Sequence, residues 1–482
     1  MQITVERKPW QQIEADALVV PVFEGRKEER FGAGDLADAG EIAGKPLELT
    51  LLHHVPGVAA RRVLLVGAGK PEKFDSAELR KLAGAAARLL KSKSVKRIAF
   101  ALDSDHAGGH FAAAAVEGTI LGDFEPDRYK TAGDKKAIES FTVVPPEGVG
   151  GLDPAVSHGR IVAEAQNLAR ELVNEPGNRL TPSKLTDAAR KMASEYQLEC
   201  QALDTAQMTA LGMGALLGVA QGSAEPPALI EIRYRPAEPS SKFHLGLVGK
   251  GVTFDTGGIS IKPADGMEKM KYDMGGGAAM IGAMQAIAQL KPAIPVTAFI
   301  PCVENMPGSR AQRPGDIVTA MSGKTIEVIN TDAEGRLILA DALTYARRQG
   351  CTHLVDAATL TGAIVVALGH LNIGLFANDD SMRDRVLDAS KSAGERMWAM
   401  PLEEDYKEYL KSAFADLANV GGRYGGAITA AWFLREFAET TPWVHLDIAG
   451  TAWLDEAKPY MAKGPTGAPV RTLVRLAMEW KV

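Results

Sequence analysis

The chain has 482 residues, of which 46% are apolar, and a formal net charge of -6 at neutral pH. One hydrophobic core rarely supports a chain of this length, so we expect two domains. The sequence lacks an apolar run of the ~18 residues that a membrane span needs, so we expect no membrane contact. Its charges are mixed, without the basic block typical of nucleic-acid binding, so a nucleic-acid partner is not expected. The charged start "MQITVERKPW" is unlike a secretory signal and favours a cytoplasmic location.

Short apolar runs alternate with helical patterns in the first part of the chain. Strands are predicted in the runs "DALVVPV" (16–22), "RRVLLVGAG" (61–69) and "RIAFALD" (97–103). Helical periodicity is present in "ELRKLAGAAARLLKS" (78–92) and "FAAAAVEGTIL" (111–121). This alternation predicts an N-terminal α/β domain over residues 1–150, with a largely parallel sheet.

A stretch rich in glycine and proline, "PPEGVGGLDPAV" (145–156), is typical of a linker. The helical pattern "HGRIVAEAQNLARELVN" (158–174) follows it, so we predict a linker helix over residues 151–175. The rest of the chain, residues 176–482, predicts a second and larger domain. The predicted fold class is therefore α/β, with two domains that each contain a mostly parallel or mixed sheet flanked by helices.

Short apolar runs also alternate with helical patterns in the second part of the chain, and both patterns are clearer there. Its predicted strands are "ALIEIRY", "FHLGLVGKGVTF", "IPVTAFIP", "TIEVIN" and "HLVDAAT". Its predicted helices are "AAMIGAMQAIAQL" and "LILADALTYARRQG". In open α/β sheets, ligands bind at the carboxyl ends of strands, so candidate functional residues are sought there.

Several familiar motifs are incomplete. "LVGAGK" and "VGKGVT" begin like dinucleotide-binding loops, but Glu72 and Phe254 stand where the third glycine is needed. "SGKT" (322–325) has Val318 in place of the first phosphate-loop glycine, so it predicts a turn. The sequence contains no HExxH zinc motif, no GxSxG nucleophile motif and no second copy of "DTGG". The three cysteines lie far apart, which excludes a disulfide framework and predicts buried small side chains, at Cys200, Cys302 and Cys351.

Charged residues flanked by glycine follow the predicted strands of the second domain. "GLVGKGVTFDTGGISIKP" contains Lys250, Asp255 and Lys262, and "KMKYDMGGG" adds Asp273. Burying any of them singly would cost several kcal/mol, so each needs a partner. One explanation is a buried salt-bridge network. The other is a pair of metal ions ~3.5–4 Å apart, because clustered carboxylates repel one another unless a multivalent cation lies among them.

The stretch "VINTDAEGRLILADAL" (328–343) adds two carboxylates, Asp332 and Glu334, to that set. It also places Arg336 in the first turn of a predicted helix, where the helix dipole disfavours a cation. An anion bound beside the free backbone N–H groups would explain the arginine. An ordinary ion pair of Arg336 with Asp332 or with Asp341 explains it equally well.

These motifs resemble those of the leucine aminopeptidase family of two-metal enzymes. The resemblance rests on "NTDAEGRL" (330–337), "GKGVTFDTGGISIKP" and "MKYDMGG", and it extends over residues 165–482 through "LVNEPGNRLTP", "DAATLTGA", "GLFANDD", "GGAITAAWFL" and "HLDIAGTAW". It implies a catalytic two-metal peptidase domain over residues 176–482 and a macro-domain-like N-terminal domain.

The resemblance also implies a ligand set. One divalent metal is expected on Asp255, Glu334, and the side chain and backbone carbonyl of Asp332. The other is expected on Lys250, Asp255, Asp273 and Glu334, so that Asp255 and Glu334 bridge the two ions. The ions are expected to be manganese or zinc, with magnesium or cobalt possible. Bicarbonate is expected on Arg336 as the general base.

The implied reaction is release of the N-terminal residue, preferably leucine, from peptides with a free N-terminus. A metal-bridging water would be the nucleophile, with Lys262 and Arg336 as the catalytic residues. The expected side-chain pocket contains Met270, Thr359 and Ala449, and the expected assembly is a homohexamer. The alternative function is a bifunctional aminopeptidase and DNA-binding regulator, which the acidic net charge disfavours.

Overall fold

The computed structural model describes residues 1–26, 28–133, 136–238 and 242–480. The chain divides into two compact units. Unit 1 comprises Met1–Asn167 and Leu454–Gly464, and unit 2 comprises Leu168–Trp453 and Pro465–Val482.

Unit 1 is built on a six-stranded sheet in the order β1-β6-β5-β2-β4-β3. Its strands are β1 (Gln2–Val5), β2 (Ala17–Phe23), β3 (Leu49–His53), β4 (Arg62–Gly69), β5 (Arg97–Ala101) and β6 (Ser140–Val144). All neighbours pair in parallel except β3, which runs antiparallel to β4. Its α-helices are α1 (Gly34–Asp38), α2 (Ser76–Ser92), α3 (Gly109–Asp123) and the first part of α4 (Asp153–Asn174), which continues into unit 2.

The two faces of this sheet are covered differently. Helices α2 and α3 pack on one face, and their alanines and leucines form a core with alternate strand residues. Glycine allows the two helices to approach closely, because a Cβ at Gly118 would lie 2.1 Å from the Arg80 carbonyl oxygen. The other face is covered mainly by the segments between strands, which contribute Trp10, Phe31 and Ile42 to a second core.

Unit 2 contains a nine-stranded sheet in the order β16-β15-β18-β14-β9-β11-β8-β7, with β10 paired to the end of β11. Its strands are β7 (Glu199–Leu203), β8 (Ala228–Tyr234), β9 (Leu245–Gly249), β10 (Gly251–Asp255), β11 (Val296–Asn305), β14 (His353–Ala358), β15 (Ile373–Ala377), β16 (Met397–Ala399) and β18 (Trp443–Asp447). Strands β18, β14, β9 and β11 run parallel, so their carboxyl ends share one edge. Smaller sheets contain β12 (Ile317–Thr319), β13 (Thr325–Glu327) and β17 (Leu417–Ala418), and β19 (Trp453–Leu454) with β20 (Gly464–Pro465).

Helices pack against this sheet. They are α5 (Pro182–Glu195), α6 (Thr205–Ala210), α7 (Gly214–Ala220), α8 (Gly275–Leu290), α9 (Glu334–Arg348), α10 (Gly362–Leu368), α11 (Asp380–Ala393), α12 (Gly426–Ala438) and α13 (Val470–Met478). Helix α8 is buried over almost its whole length, and α9 and α12 contribute to the main core. The two sheets flanked by helices confirm the predicted fold class.

The structure corrects three predicted elements. "FHLGLVGKGVTF" was expected as one strand, but the chain breaks at Lys250 into β9 and β10, because β9 pairs with β14 and β11 whereas β10 pairs only with the end of β11. "TIEVIN" is a strand only as far as Glu327. Helix α4 begins at Asp153, inside the stretch expected as a linker. Cys302 and Cys351 are buried as expected, while Cys200 is half-buried.

Within the described residues, no helix is both long enough and apolar enough to span a membrane.

Candidate metal centre

Four charged side chains meet at the carboxyl edge of the sheet in unit 2. Lys250 directly follows β9, and Asp255 is the last residue of β10. Asp273 lies near the end of a 3-10 helix, Met267–Met274, and Glu334 is the first residue of α9. The fold therefore gathers residues that are up to 84 positions apart in the sequence, Lys250 to Glu334.

Three of these side chains form a cluster that suits a cation. Asp255, Asp273 and Glu334 each offer a carboxylate oxygen, and these oxygens all lie within 4.8 Å of one another. Each residue is at most 4% exposed. Lys250 Nζ lies 2.8 Å from Asp273 Oδ1, 2.8 Å from Glu334 Oε1 and 3.0 Å from the carbonyl oxygen of Thr359. The cluster is thus partly neutralised by one buried ammonium group.

The lack of a side chain at Gly335 leaves room for Lys250. A Cβ at Gly335 would lie 2.6 Å from Lys250 Cε and 2.8 Å from Nζ, closer than any ordinary van der Waals contact. The glycine of the sequence "AEGR" therefore gives the lysine side chain its path past the first turn of α9.

A second pair of charged side chains adjoins the cluster. Lys262 Nζ lies 2.8 Å from Asp255 Oδ2 and 2.5 Å from Asp332 Oδ1. These two side chains are more accessible than the cluster, with 20% of Lys262 and 32% of Asp332 exposed. They form a side of the centre that is accessible to solvent.

Two polar side chains hold the carboxylates in place, of which Asn305 was not predicted. Asn305, at the end of β11, donates from Nδ2 to Asp255 Oδ1 at 2.9 Å and to the carbonyl oxygen of Thr331 at 3.0 Å. Thr331 in turn donates to the carbonyl oxygen of Gly257 at 2.7 Å. The position of Asn305 at a strand end in "PCVEN" was a usable signal. Thr331 belongs to the motif "NTDAEGRL" (330–337) that carries the family resemblance.

Burial and the charges of neighbouring side chains shift the pKa values of the residues in this cluster. Burial, with repulsion from Glu334, raises the pKa of Asp255 to about 6, and burial raises the pKa of Asp273 well above its usual range. Burial opposes the charged form of Lys250, but the surrounding carboxylates outweigh it and raise the pKa of this lysine. Burial also opposes ionised Glu334, but Lys250 and Lys262 outweigh it and lower its pKa. The centre thus holds more negative charge than its lysines neutralise.

The donor set fits divalent metal ions. Asp273 Oδ2 and Asp332 Oδ1 are buried and accept no well-directed hydrogen bond from the described residues. Lysine ammonium groups lie 2.7 Å and 2.5 Å from them, so the attraction there is electrostatic and the oxygen lone pairs are left without a directed donor. Hard oxygen ligands of this kind are those that magnesium, manganese and zinc accept.

Arg336 lies buried in the first turn of α9. It is 6% exposed, its Nη1 donates to the carbonyl oxygen of Asn419 at 2.7 Å, and its Nε meets no acceptor among the described residues. Burial lowers the pKa of Arg336 to about 10, while Glu334 and Asp447 favour the charged form. A buried guanidinium with an unsatisfied donor is suited to binding an anion.

The expected alternative, an ion pair of Arg336 with Asp332 or Asp341, is wrong. Asp332 pairs with Lys262 instead. Asp341 accepts hydrogen bonds from two backbone N–H groups, those of Leu216 at 2.8 Å and Met321 at 2.7 Å. Within the part of the chain that the structure describes, no carboxylate forms a salt bridge with Arg336.

The three expected pocket residues differ in their relation to the carboxylate cluster. Thr359, buried directly after β14, donates from Oγ1 to Asp273 Oδ1 at 2.7 Å, so it adjoins the cluster. Met270 is half-buried and lies three residues before Asp273 on the same 3-10 helix. Ala449 is half-buried two residues after β18 and packs against the main core.

The sequence matches models of one protein family over most of its length. The catalytic-domain model of the cytosol aminopeptidase family matches residues 167–474. The N-terminal-domain model of the same family matches residues 19–133.

Relatives and solved structures agree with this match. A probable cytosol aminopeptidase of Solibacter usitatus is 76% identical over all of both chains. One of Koribacter versatilis is 50% identical over 97% of this chain and 98% of its own. The bottromycin maturation enzyme BotP in complex with Mn has a TM-score of 0.88 and 36% identity, over 96% of this chain and 99% of its own. A mutant of tomato leucine aminopeptidase has a TM-score of 0.90 and 36% identity, over 99% of this chain and 96% of its own.

These matches confirm the resemblance that the motifs indicated, and with the buried carboxylate cluster they identify a peptidase. The chain belongs to the cytosol aminopeptidase family and is a metal-dependent aminopeptidase.

Proposed function

We propose that this aminopeptidase removes N-terminal residues, preferably leucine, from peptides in the cytoplasm. The observation that carries the proposal is the buried cluster of Asp255, Asp273 and Glu334 around Lys250, at the carboxyl edge of the sheet. The relatives named as cytosol aminopeptidases and the tomato leucine aminopeptidase support the substrate and the location.

The cluster supplies ligands for two divalent ions. We assign one to Asp255, Asp332 and Glu334, and the other to Lys250, Asp255, Asp273 and Glu334. Manganese is favoured because a neighbouring structure contains it, and zinc accepts the same ligands. When bound, such ions polarise a carbonyl group and lower the pKa of a water molecule.

Lys250 has to lose a proton before it can serve as a ligand. Its Nζ is held by the carboxylates of Asp273 and Glu334 and by the carbonyl oxygen of Thr359. These three acceptors fix the nitrogen in place while the side chain is 3% exposed. A nearby dication opposes the ammonium form and so favours the neutral amine.

Lys262 is assigned to the substrate. Its pKa is raised, because the carboxylates of Asp255 and Glu334 outweigh the effect of burial, so it remains a cation. With a fifth of its side chain exposed, it can donate to a peptide carbonyl oxygen and stabilise the charge that develops there during hydrolysis.

Arg336 is assigned to bicarbonate. The guanidinium is buried, is not paired with a carboxylate of the described residues, and has a free Nε donor. An oxyanion bound there would be held by a charge-assisted hydrogen bond. Arg336 would hold bicarbonate, which would supply a base for a proton of water, a role for which the centre has no uncommitted carboxylate.

The preference for leucine is assigned to a pocket formed by Met270, Thr359 and Ala449. Their side chains are apolar or small, which suits an aliphatic group. Hydrogen bonds from Thr359 Oγ1 to Asp273 link this pocket to the centre, so that the first side chain of the peptide and its amino group are positioned together.

The proposed assembly is a homohexamer. Large apolar side chains are exposed on unit 2, including Val366 at 90%, Tyr424 at 80%, Phe414 at 77% and Leu371 at 68%. Exposed groups of this kind mark surfaces that meet other protein. For the domains we retain the boundaries 1–150, 151–175 and 176–482, and helix α4 (Asp153–Asn174) supports the linker helix.

The test compares leucine amide, alanine amide and N-acetyl-leucine amide as substrates of metal-loaded protein. We expect release of leucine at least tenfold faster than of alanine, and none from the acetylated compound. Equal cleavage of the acetylated compound would contradict an aminopeptidase. Faster cleavage of alanine amide would contradict only the leucine preference.

A further inference from the structure

Asp447 is a buried acidic residue that has no role in the proposed chemistry. It ends β18 and is 1% exposed. Burial raises the pKa of Asp447, because a charged carboxylate is costly away from water. A buried carboxyl group needs hydrogen-bond partners, and the partners of Asp447 indicate what it holds in place.

One carboxylate oxygen of Asp447 joins two segments of the chain. Oδ1 accepts a hydrogen bond from the backbone N–H of Leu360 at 3.2 Å, and another from that of Ala449, also at 3.2 Å. Leu360 lies in the segment after β14, and Ala449 lies in the segment after β18. The spacing of these two segments therefore depends on a single oxygen atom.

The second carboxylate oxygen holds the first of these segments at one more point. Oδ2 accepts a hydrogen bond from Thr361 Oγ1 at 2.6 Å. Thr361 is also the N-cap of α10, where its Oγ1 accepts a hydrogen bond from the N–H of Ile364 at 3.0 Å. Asp447 thus anchors both the segment 359–361 and the start of α10.

The two segments carry two of the three proposed pocket residues, Thr359 and Ala449. Thr359 is also tied to the metal centre, because its Oγ1 donates to Asp273 Oδ1 at 2.7 Å and its carbonyl oxygen accepts from Lys250 Nζ at 3.0 Å. Asp447 contacts neither of these two assigned ligands in the hydrogen bonds described above. A change at Asp447 should therefore act on the pocket before it acts on the metal ions.

Strand β18 gives Asp447 a fixed base. The strand pairs in parallel with β14, with Asp447 opposite Ala358. Two positions earlier, His445 lies opposite Asp356, and Nδ1 of the histidine is 2.5 Å from Oδ1 of the acid. Trp443 donates from Nε1 to Oδ2 of Asp356 at 2.6 Å. Because side chains as well as backbones join the two strands, the carboxylate of Asp447 is held in a defined position.

We infer that Asp447 is a positioning residue that sets the width of this pocket and so the preference for leucine, an inference that rests on the proposed function. The N–H groups of Leu360 and Ala449 need an acceptor at the position of Oδ1, whether or not it is charged. An amide oxygen can take that position, and the amide nitrogen can then donate to Thr361 Oγ1. A carboxylate that is one methylene group longer cannot reach all three partners from the same backbone.

The test measures kcat/KM for leucine amide and for alanine amide in metal-loaded wild type and in three variants. Asp447→Glu keeps the charge and moves the acceptor, whereas Asp447→Asn keeps the acceptor and removes the charge. Asp341→Glu is the matched control, because Asp341 is also buried and accepts hydrogen bonds from two backbone N–H groups. These belong to Leu216 and Met321, which are not in the pocket segments.

The quantity compared is the ratio of the two kcat/KM values. It does not depend on the fraction of folded or metal-loaded protein, since both substrates meet the same active molecules. The wild type should favour leucine amide at least tenfold, because one methylene group in an apolar pocket is worth ~10–200-fold. Asp447→Glu should lower the ratio at least fivefold, mainly by raising KM for leucine amide. Asp447→Asn and Asp341→Glu should leave it within twofold of the wild type.

An unchanged ratio in Asp447→Glu overturns the inference, and so does an equal loss in Asp447→Asn or in Asp341→Glu. If Asp447→Glu does not fold, Thr361→Val provides the test, because it removes the hydroxyl that contacts Oδ2 with little change in shape. Thr361→Val should lower the ratio at least threefold, and Thr361→Ser, which keeps the hydroxyl, should not. Equal ratios in these two variants overturn the inference.

Failure of the proposed function gives a different result. A wild type that cleaves both amides equally well contradicts the proposed leucine pocket, and the inference with it. A wild type that prefers leucine amide, together with an unchanged ratio in the variants, overturns only the role of Asp447.

Discussion

The contact between Gly335 and Lys250 gives a sharp test of the metal centre. In Gly335→Ala, the new Cβ would lie 2.6 Å from Lys250 Cε and 2.8 Å from Nζ. Ordinary contacts between carbon atoms are ~3.5–4.0 Å, so the lysine tip has to move by about 1 Å. It cannot move freely, because its Nζ is held by Asp273, Glu334 and the Thr359 carbonyl oxygen.

The effects on stability and on activity should differ. Overpacking a buried site costs ~1–3 kcal/mol, and replacing glycine by alanine in a helix returns ~0.5–1 kcal/mol. The free energy of unfolding should therefore fall by no more than about 2.5 kcal/mol. A shift of about 1 Å in a catalytic constellation costs on the order of 100-fold in rate, so kcat/KM for leucine amide should fall by roughly that factor.

The assay measures kcat/KM, melting temperature and metal content for Gly335→Ala and for a matched control. Gly34→Ala is the control, because Gly34 also lies in the first turn of a helix but a Cβ there would meet nothing within 4 Å. A second comparison introduces Gly335→Ala into a Lys250→Ala background. If the glycine acts through the lysine, the added change should not lower metal affinity any further.

Two results would refute this reasoning. Wild-type kcat/KM in folded Gly335→Ala would show that the position of Lys250 does not matter. A further tenfold loss of metal affinity on adding Gly335→Ala to Lys250→Ala would show that the glycine acts through another contact.

Three further predictions follow from other contacts. Arg336→Met should remove the stimulation of kcat by added bicarbonate in carbonate-free buffer, and a stimulation equal to that of the wild type would contradict the assigned anion site. Asp341→Ala should lower the free energy of unfolding by ~2–4 kcal/mol in denaturant titration, because two buried N–H groups lose their acceptor. Burial raises the pKa of Asp341 to about 7, so its contribution to stability is lost as pH rises through that value, and the effect of Asp341→Ala should be larger at pH 5 than at pH 8. Asn305→Asp and Asn305→Leu should both weaken metal retention during dialysis, because either change removes the Nδ2 donor that holds Asp255 Oδ1, and wild-type retention in both variants would contradict this role of Asn305.

Hydrophobic periodicity predicted the strands and helices well where both faces of an element are buried, or where apolar and polar residues clearly alternate along it. "ALIEIRY" coincides with β8, and "HLVDAAT" with β14 apart from its last residue. The break at Lys250 was missed, because the apolar run continues on both sides of the lysine and the cause lies in pairing with β11 and β14. Tertiary pairing of this kind leaves no local signal in the sequence.

The charged residues of the centre were predictable because a charged side chain is stable in a protein interior only when it has a partner. Asp255, Asp273 and Glu334 were predicted as candidate ligands because they are acids beside glycines and predicted strand ends. The structure brings them together. Partners that act through neutral groups were not predictable. Asn419 offers only a backbone carbonyl oxygen to Arg336, and any residue could supply it.

The buried salt-bridge network and the candidate metal site consist of the same residues. Asp255, Asp273, Asp332 and Glu334 carry four formal negative charges, and Lys250 and Lys262, which contact them, carry two positive ones, so the connected group retains a formal charge of -2. A salt-bridge network that existed for stability alone would be expected to balance, because each unpaired buried charge costs several kcal/mol. The deficit of positive charge, together with the raised pKa values of Asp255 and Asp273, is the property that a site for additional cations requires.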